Sequence, residues 1–107
     1  MSEYLIGGLY SVRSEGRFKV AKVLASEDNG VHIRLYKETF TTRPKITETL
    51  SLTLGKLGDE ELGIGHLPLS RGTFVSWEPQ LIAQENVLPG ELEGYKLWKN
   101  GKGGFWI

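Results

Sequence analysis

The six residues Val31–Tyr36 alternate apolar and polar side chains without interruption. Val, Ile and Leu occupy the odd-numbered positions, and His, Arg and Tyr occupy the even-numbered ones, which is the pattern of a strand with one face on a core. The preceding Ser26–Gly30 is rich in turn-forming residues and includes an Asn-Gly pair, which adopts positive φ at low cost. We therefore predict an antiparallel hairpin formed by Phe18–Ala25 and Val31–Tyr36.

Three further segments have the pattern of strands. Tyr4–Arg13 is interrupted by Gly7-Gly8, where we expect a bulge or a close approach between two backbone segments. Ile46–Leu54 places Ile46 and three leucines on one face and only Thr and Ser on the other, which is typical of a half-buried antiparallel strand. Gln80–Val87 is predicted as the last strand.

Two short helices are predicted in the C-terminal half. Ser70 is a suitable N-cap for a helix over Arg71–Trp77, which Pro79 would end. The second helix is predicted over Gly90–Lys99, where apolar residues recur every three to four positions.

Two connections complete the prediction. Thr39–Pro44 contains the exposed-looking Phe40, and Gly55–Leu69 has the composition of a loop. The predicted fold is a single α+β domain over residues 1–107, with about five strands in a strongly bent antiparallel sheet or small β-barrel and two short helices.

Composition narrows the class of protein. The chain has no cysteine, which excludes thiol nucleophiles, disulfides and thiolate metal sites and fits a reducing compartment. Thirteen basic and thirteen acidic residues give zero formal charge, which disfavours a dedicated nucleic-acid binder. The sequence shows neither a signal peptide nor an apolar run of membrane-spanning length. We expect a soluble, cytoplasmic protein with no membrane association.

The strand Phe18–Leu24 follows a glycine turn and precedes the Asp-Asn-Gly turn and Val31–Tyr36. This order resembles the Tudor-like and Src-homology-3-like small barrels over the first third of the chain. The resemblance implies binding of a peptide or nucleic acid without catalysis, and a cage of aromatic rings for a methylated cation. The residues that could form such a cage are Tyr10, Phe18, Tyr36 and Phe40.

An alternative is that Tyr10 and Phe18 belong to the core and that the other two rings lie on an amphipathic surface. The chain also departs from these barrels in two respects. Its second half is long, and the acidic residue that usually follows the last aromatic strand is present only as Glu38.

The segment Gly63–Arg71 combines Gly, Pro and His before the predicted helix and is similar to segments of small bacterial proteins to which no activity attaches. His66, Ser70 and Arg71 could line an anion pocket at the helix N-terminus. In the alternative, Ser70 only caps the helix, His66 makes one structural hydrogen bond and Arg71 is solvated. Ser70 and His66 could also form a catalytic triad with Glu78.

Metal and cofactor sites are not predicted. His32 and His66 lack carboxylates at ligand spacing, which makes a weak zinc site. The trio Asp59-Glu60-Glu61 fits a solvated acidic turn better than a calcium loop, and the glycine-rich segments lack the phosphate-binding patterns.

The leading functional hypothesis is a non-catalytic module that binds a protein or peptide, as a monomer or weak homodimer. Three Trp, four Tyr and four Phe are generous for this length, and surplus aromatic residues often lie in interfaces. Phe40 and Trp106 are the first candidates.

Two alternatives belong to other classes. A small hydrolase or ligand-binding protein would use the His66–Arg71 loop and would need an enclosed pocket beside His66. A protein that follows the backbone of a nucleic acid would need one shared face for its cations. Those cations are Arg13, Arg17, Lys19, Lys22 and Arg34.

Overall fold

Five antiparallel strands form the sheet of this protein, for which a computed structural model describes residues 4–56, 59 and 62–101. The strands are β1 (Gly8–Ser14), β2 (Arg17–Glu27), β3 (Gly30–Leu35), β4 (Ile64–Ser70) and β5 (Gln80–Gln84). They lie in the order β4-β3-β2-β1-β5. Helix α1 (Arg71–Ser76) connects β4 to β5, and helix α2 (Glu93–Asn100) follows β5. The predicted α+β class, with about five strands and two short C-terminal helices, is confirmed.

Two tight hairpins join the first three strands. In the β1–β2 hairpin, Glu15 and Gly16 have φ angles of 51° and 79°, which suits a two-residue turn between right-twisted strands. In the β2–β3 hairpin, Glu27 pairs with Gly30 across the turn. The predicted hairpin is present, but the positive φ angles lie at the first turn rather than at the Asn29-Gly30 pair.

One side of the sheet, here called the Phe74 face, packs against α1. The odd-numbered apolar residues of β3 lie on it, as their alternation predicted. Phe74 itself is fully buried, and Tyr4, Leu35 and Trp77 pack around the edge of this core. The buried members of the core are Tyr10, Val12, Ala21, Val23, Val31, Ile33, Leu67, Leu69 and Phe74.

The opposite side, here called the Lys22 face, carries Lys22, His32 and Tyr36, and it is also buried. A 3₁₀ helix over Pro89–Leu92 leads into α2, and side chains of both helices contact the polar residues of this face. A smaller apolar cluster continues it and consists of Leu9, Val20, Tyr36, Phe40, Leu52, Leu54, Ile82 and Ala83. The face of β3 opposite the predicted core face is therefore covered as well, because the C-terminal segment packs on it.

The predicted strand over Ile46–Leu54 is wrong. Ile46–Ser51 forms a 3₁₀ helix, in which the Thr49 hydroxyl donates to the Ile46 carbonyl at 2.6 Å. Ile46 is 58% exposed, so the alternation of this segment does not mark a buried face. Threonine hydroxyls and neighbouring carboxylates offer local hydrogen bonds that compete with strand pairing.

The predicted loop over Gly55–Leu69 is wrong at its C-terminal end. Ile64–Ser70 is β4, which pairs with β3 and places Leu67 and Leu69 on the Phe74 face. Pro68 is tolerated because β4 lies at an edge of the sheet, where a missing N–H need not break a ladder.

The predicted helices are close to the observed ones. The Ser70 hydroxyl accepts the Thr73 N–H at 3.2 Å, as expected of an N-cap. The second predicted helix is divided into the 3₁₀ helix Pro89–Leu92 and α2, and the last strand ends at Gln84. Among the described helices, none has the length and apolar character needed to cross a membrane.

The close backbone approach expected at Gly7-Gly8 is present and gives a prediction. Gly7 has a φ of 80°, and a Cβ on it would lie 1.8 Å from the Glu85 carbonyl oxygen. We expect Gly7→Ala to lower the free energy of unfolding by about 2 kcal/mol or more in urea denaturation. The control is Gly72→Ala in α1, where a Cβ meets no atom within 4 Å and we expect no loss. Equal stabilities of the two variants would contradict the prediction.

Candidate functional site

Two histidines meet on the Lys22 face under α2. His32 lies in the middle of β3 and is fully buried, and His66 lies on the neighbouring β4. Nδ1 of His32 is 2.9 Å from Nε2 of His66, and the ring planes are 9° apart. With a centroid separation of 5.1 Å the two rings meet edge to edge through this hydrogen bond.

A carboxylate continues the histidine pair. Glu27 Oε1 is 3.6 Å from Nε2 of His32 and accepts a hydrogen bond from the Tyr95 hydroxyl at 3.2 Å. The Trp98 ring lies 4.3 Å from the His32 ring, centroid to centroid. The result is a carboxylate–imidazole–imidazole chain covered by aromatic side chains of α2.

The environment keeps both histidines neutral near pH 7. Burial, assisted by His66, lowers the pKa of His32 to about 4, although Glu27 opposes this shift. Burial also lowers the pKa of His66. A neutral pair can pass a proton along its hydrogen bond, but α2 stands where a substrate would have to approach. A Cβ on Gly94 of α2 would lie 2.5 Å from the His66 Cβ.

An ionic cluster lies beside the histidines. The Lys22 ammonium donates to the Asn86 carbonyl at 2.8 Å and to Glu91 Oε1 at 2.9 Å, and Glu85 Oε1 is 3.3 Å away. Burial opposes ionisation of Glu91, but the Leu88 N–H and the Lys22 ammonium outweigh it and lower the pKa of Glu91. These contacts attach the segment after β5 to the sheet, which is a structural role.

Tyr36 is buried beside this cluster. Burial and the carboxylates of Glu91 and Glu85 raise the pKa of Tyr36 to about 12, so that its hydroxyl stays protonated. A buried neutral phenol next to carboxylates is not an exposed wall of a cation cage.

The four predicted cage residues do not converge. Tyr10 belongs to the Phe74 face, whereas Tyr36 and Phe40 belong to the Lys22 face. Phe40 is half-buried and exchanges two backbone hydrogen bonds with Phe18, so its predicted exposure is wrong. The Phe18 ring lies under the guanidinium of Arg43 at 4.8 Å, and it is therefore already engaged.

The Arg71 side chain is neither solvated nor positioned to bind an anion. It donates to the carbonyl oxygens of Glu27 and Asp28 and to the Ser26 hydroxyl, all in the β2–β3 hairpin. These hydrogen bonds fix α1 to the hairpin turn. The anion pocket predicted around His66, Ser70 and Arg71 is not formed by these contacts.

The residues of the predicted triad lie apart. Ser70 and His66 are four positions apart on one strand, which separates them by roughly 13 Å. Glu78 pairs with Arg13, Oε2 to Nε, at 2.6 Å. The Ser70 hydroxyl is engaged as the helix cap.

The predicted nucleic-acid cations do not form one basic surface. Lys22 is buried in its ionic cluster, and Arg34 lies 3.9 Å from Glu91. The register pairs Lys19 with Val12 of the Phe74 face and Lys22 with Leu9 of the Lys22 face, so these two cations are on opposite sides of the sheet.

His66 does not line any of the following three cavities, whose lining residues are all described. A groove of about 660 Å³ lies beside β5, between Ile6 and the segment from Gln84 to Val87. A cavity of about 240 Å³ lies at the β1–β2 hairpin beside Trp77, and one of about 310 Å³ lies between Lys37 and Lys56.

Few of these features had a signal in the sequence. A lysine within the apolar run of β2 was the one sign of a buried charge at Lys22, and it did not identify Glu91 as the partner. The uncharged segment Gln80–Gln84 signalled a strand but not an edge. The predicted acidic turn includes Glu60 and Glu61, which lie outside the described residues, as does the predicted interface residue Trp106.

Comparisons with known protein families, with curated proteins and with solved structures find no match.

Proposed function

We propose that this protein is a non-catalytic peptide-binding module, whose ligand adds as an extended strand to the outer edge of β5. The observation that carries the proposal is the position of β5 at the end of the sheet with exposed apolar side chains beside it. Strand addition of this kind takes affinity from backbone hydrogen bonds and specificity from alternate side chains.

The two edges of the sheet differ in how they are protected. β4 contains Pro68 and is contacted by α1, by the second 3₁₀ helix and by α2. β5 has the sequence Gln-Leu-Ile-Ala-Gln, with neither charge nor proline, and its principal contacts are with β1. Natural sheets commonly protect an edge with charge, proline or a covering element, so β5 is the edge suited to a partner strand.

Apolar side chains flank this edge. Leu5, Ile6 and Leu81, here called the β5 edge patch, are 43%, 46% and 51% exposed. Gly8 lies between Leu5 and Leu81, since a Cβ on it would contact atoms of both. The 660 Å³ groove begins at Ile6 and offers space for a side chain of the added strand.

A peptide ligand is also what the resemblance to small barrels implies. The structure supports a mode of peptide binding other than the aromatic cage, because the candidate cage rings are divided between the two faces of the sheet. Backbone pairing at an edge needs no cage and is compatible with buried aromatic residues.

The variant Leu81→Lys tests whether a peptide binds at the edge of β5. A library of ten-residue peptides with alternating apolar and polar residues serves as the probe, and the tightest peptide is carried into titrations. We expect Leu81→Lys to weaken binding by about tenfold or more, because a lysine both removes apolar contact and charges the edge. Leu97→Lys is the matched control, since Leu97 is 74% exposed on α2, a helix that contacts β4 at the other end of the sheet.

A second probe distinguishes strand addition from other binding. The same peptide with alternate backbone nitrogens methylated cannot pair on that side, so we expect its binding to be lost. Hydrogen exchange of the β5 amides should slow with the unmodified peptide. Equal binding of both peptides, an equal effect of the two leucine variants, or no binder in the library would contradict the proposal.

A further inference from the structure

We propose that the cavity between the β1–β2 hairpin and Trp77, here called the Trp77 pocket, binds the carboxylate of a small apolar acid. This inference goes beyond the peptide-binding function, because the pocket lies on the Phe74 face and can be occupied without a partner strand at β5. The ligand class is a single carboxylate a few bonds from an aromatic or branched apolar group.

The interior of the Trp77 pocket is apolar. Val12 is buried and belongs to the core of the Phe74 face, and Leu35 and Trp77 pack at the edge of that core. The Trp77 carbonyl accepts the Arg13 N–H at 2.8 Å, which attaches the segment after α1 to the end of β1. The pocket is therefore built from β1, β2 and β3 and one fixed segment.

The size of the pocket limits the ligand. Its volume is about 240 Å³. An apolar cavity of about 150 Å³ is sufficient for benzene, so the Trp77 pocket has room for one ring and a short acidic chain. A larger apolar group on the ligand would extend out of the pocket into solvent.

The charge at the rim points to a carboxylate. Lys19 pairs with Val12 across β1 and β2, is half-buried and lines the pocket. Within the part of the chain that the structure describes, no ion pair or hydrogen bond of the Lys19 ammonium is found. Arg13 also lines the rim, but its guanidinium is already paired with Glu78 at 2.6 Å.

The pocket lining includes one acidic residue, and this limits the negative charge that the ligand can carry. Glu15 lines the pocket from the hairpin turn. One ligand carboxylate can pair with Lys19, whereas a second would meet Glu15 and be repelled. The charges therefore favour a monocarboxylate over a dicarboxylate or a phosphate ester.

Two sources could supply this chemistry, namely a free acid and the C-terminal residue of a peptide. 3-Phenylpropionate represents the free acid and Gly-Gly-Phe represents the peptide terminus, because both place a carboxylate two carbons from a phenyl ring. Their amides, 3-phenylpropanamide and Gly-Gly-Phe-amide, have the same shape without the charge.

Binding is measured by titration followed by amide and indole NMR signals of Val12, Lys19 and Trp77. We expect at least one acid to bind about tenfold or more tightly than its amide, as a charge-assisted hydrogen bond predicts. Lys19→Met should remove the preference for the acid and leave the affinity for the amide unchanged. Lys96→Met, at an exposed position on α2, is the control and should retain the full preference.

The relative affinities of the two acids distinguish a free acid from a peptide terminus as the ligand. Tighter binding of Gly-Gly-Phe assigns the pocket to a peptide terminus, and tighter or equal binding of 3-phenylpropionate assigns it to a free acid. Equal affinity for acid and amide, an acid preference that survives Lys19→Met, or no binding of either acid at millimolar concentration would overturn the proposal. Leu81→Lys should not affect this binding, so failure here is distinguishable from failure of strand addition at β5.

Discussion

Replacing Lys22 by methionine is expected to lower the free energy of unfolding by about 3 kcal/mol, because it leaves the buried Glu91 carboxylate without its main counter-charge. The Lys22 side chain is 3% exposed and that of Glu91 is 13% exposed. Arg34 is the remaining cation near Glu91, at 3.9 Å. Urea denaturation followed by tryptophan fluorescence measures the effect.

Adding Glu91→Gln to Lys22→Met should restore most of the loss. The glutamine amide oxygen can still accept the Leu88 N–H, which Glu91 accepts at 2.9 Å, and no unpaired charge remains in the interior. Replacing both members of a buried ion pair is often close to neutral, so we expect the double variant within about 1 kcal/mol of the wild type.

The matched control for the buried Lys22–Glu91 pair is an ion pair that is exposed to solvent. Lys37 and Asp59 are 3.2 Å apart, with side chains 33% and 35% exposed. Lys37→Met should cost less than about 1 kcal/mol, as expected for an ion pair in contact with water. A loss for Lys22→Met no larger than that for Lys37→Met would show that the buried pair does not hold the segment after β5 on the sheet.

Acidification should destabilise the protein through His32, well above the pH at which carboxylates titrate. The pKa of His32 is lowered from 6.5 to about 4, mainly by burial. Because the unfolded chain binds this proton at the higher pH, stability is full above the ordinary pKa and declines as the pH falls toward the lower one. We expect a loss of about 2 kcal/mol between about pH 7 and about pH 5.

The variant His32→Gln isolates this effect. It should reduce the loss between the two pH values, whatever it does to stability at neutral pH, since glutamine does not titrate. His66→Gln should retain the greater part of the loss, because burial is the largest cause of the low pKa of His32 and persists in that variant. Wild-type stabilities that are equal at the two pH values, from urea denaturation, would contradict this account.

The local features of the fold were predictable from the sequence. The alternation in Val31–Tyr36 and the cap at Ser70 each depend on a few neighbouring residues. The glycines at positions 7 and 8 indicated a close backbone approach, but they did not identify Glu85 as the partner. The wrong secondary-structure predictions fell on segments whose residue pattern favours one structure while their packing in the fold favours another. Ile46–Leu54 alternates like a strand but forms a 3₁₀ helix, and β4 contains glycine and proline yet pairs with β3.

An antiparallel sheet with two short helices follows from the order of the residues alone, because side-chain period, turn residues and caps act over a few positions. Tertiary packing was needed for both faces to be covered, for Lys22 to meet Glu91 69 positions away, and for His32 to meet His66 34 positions away. It also decided which strand is left at the edge. These outcomes depend on how distant segments pack, since a buried charge is stable only beside a partner that the fold brings to it.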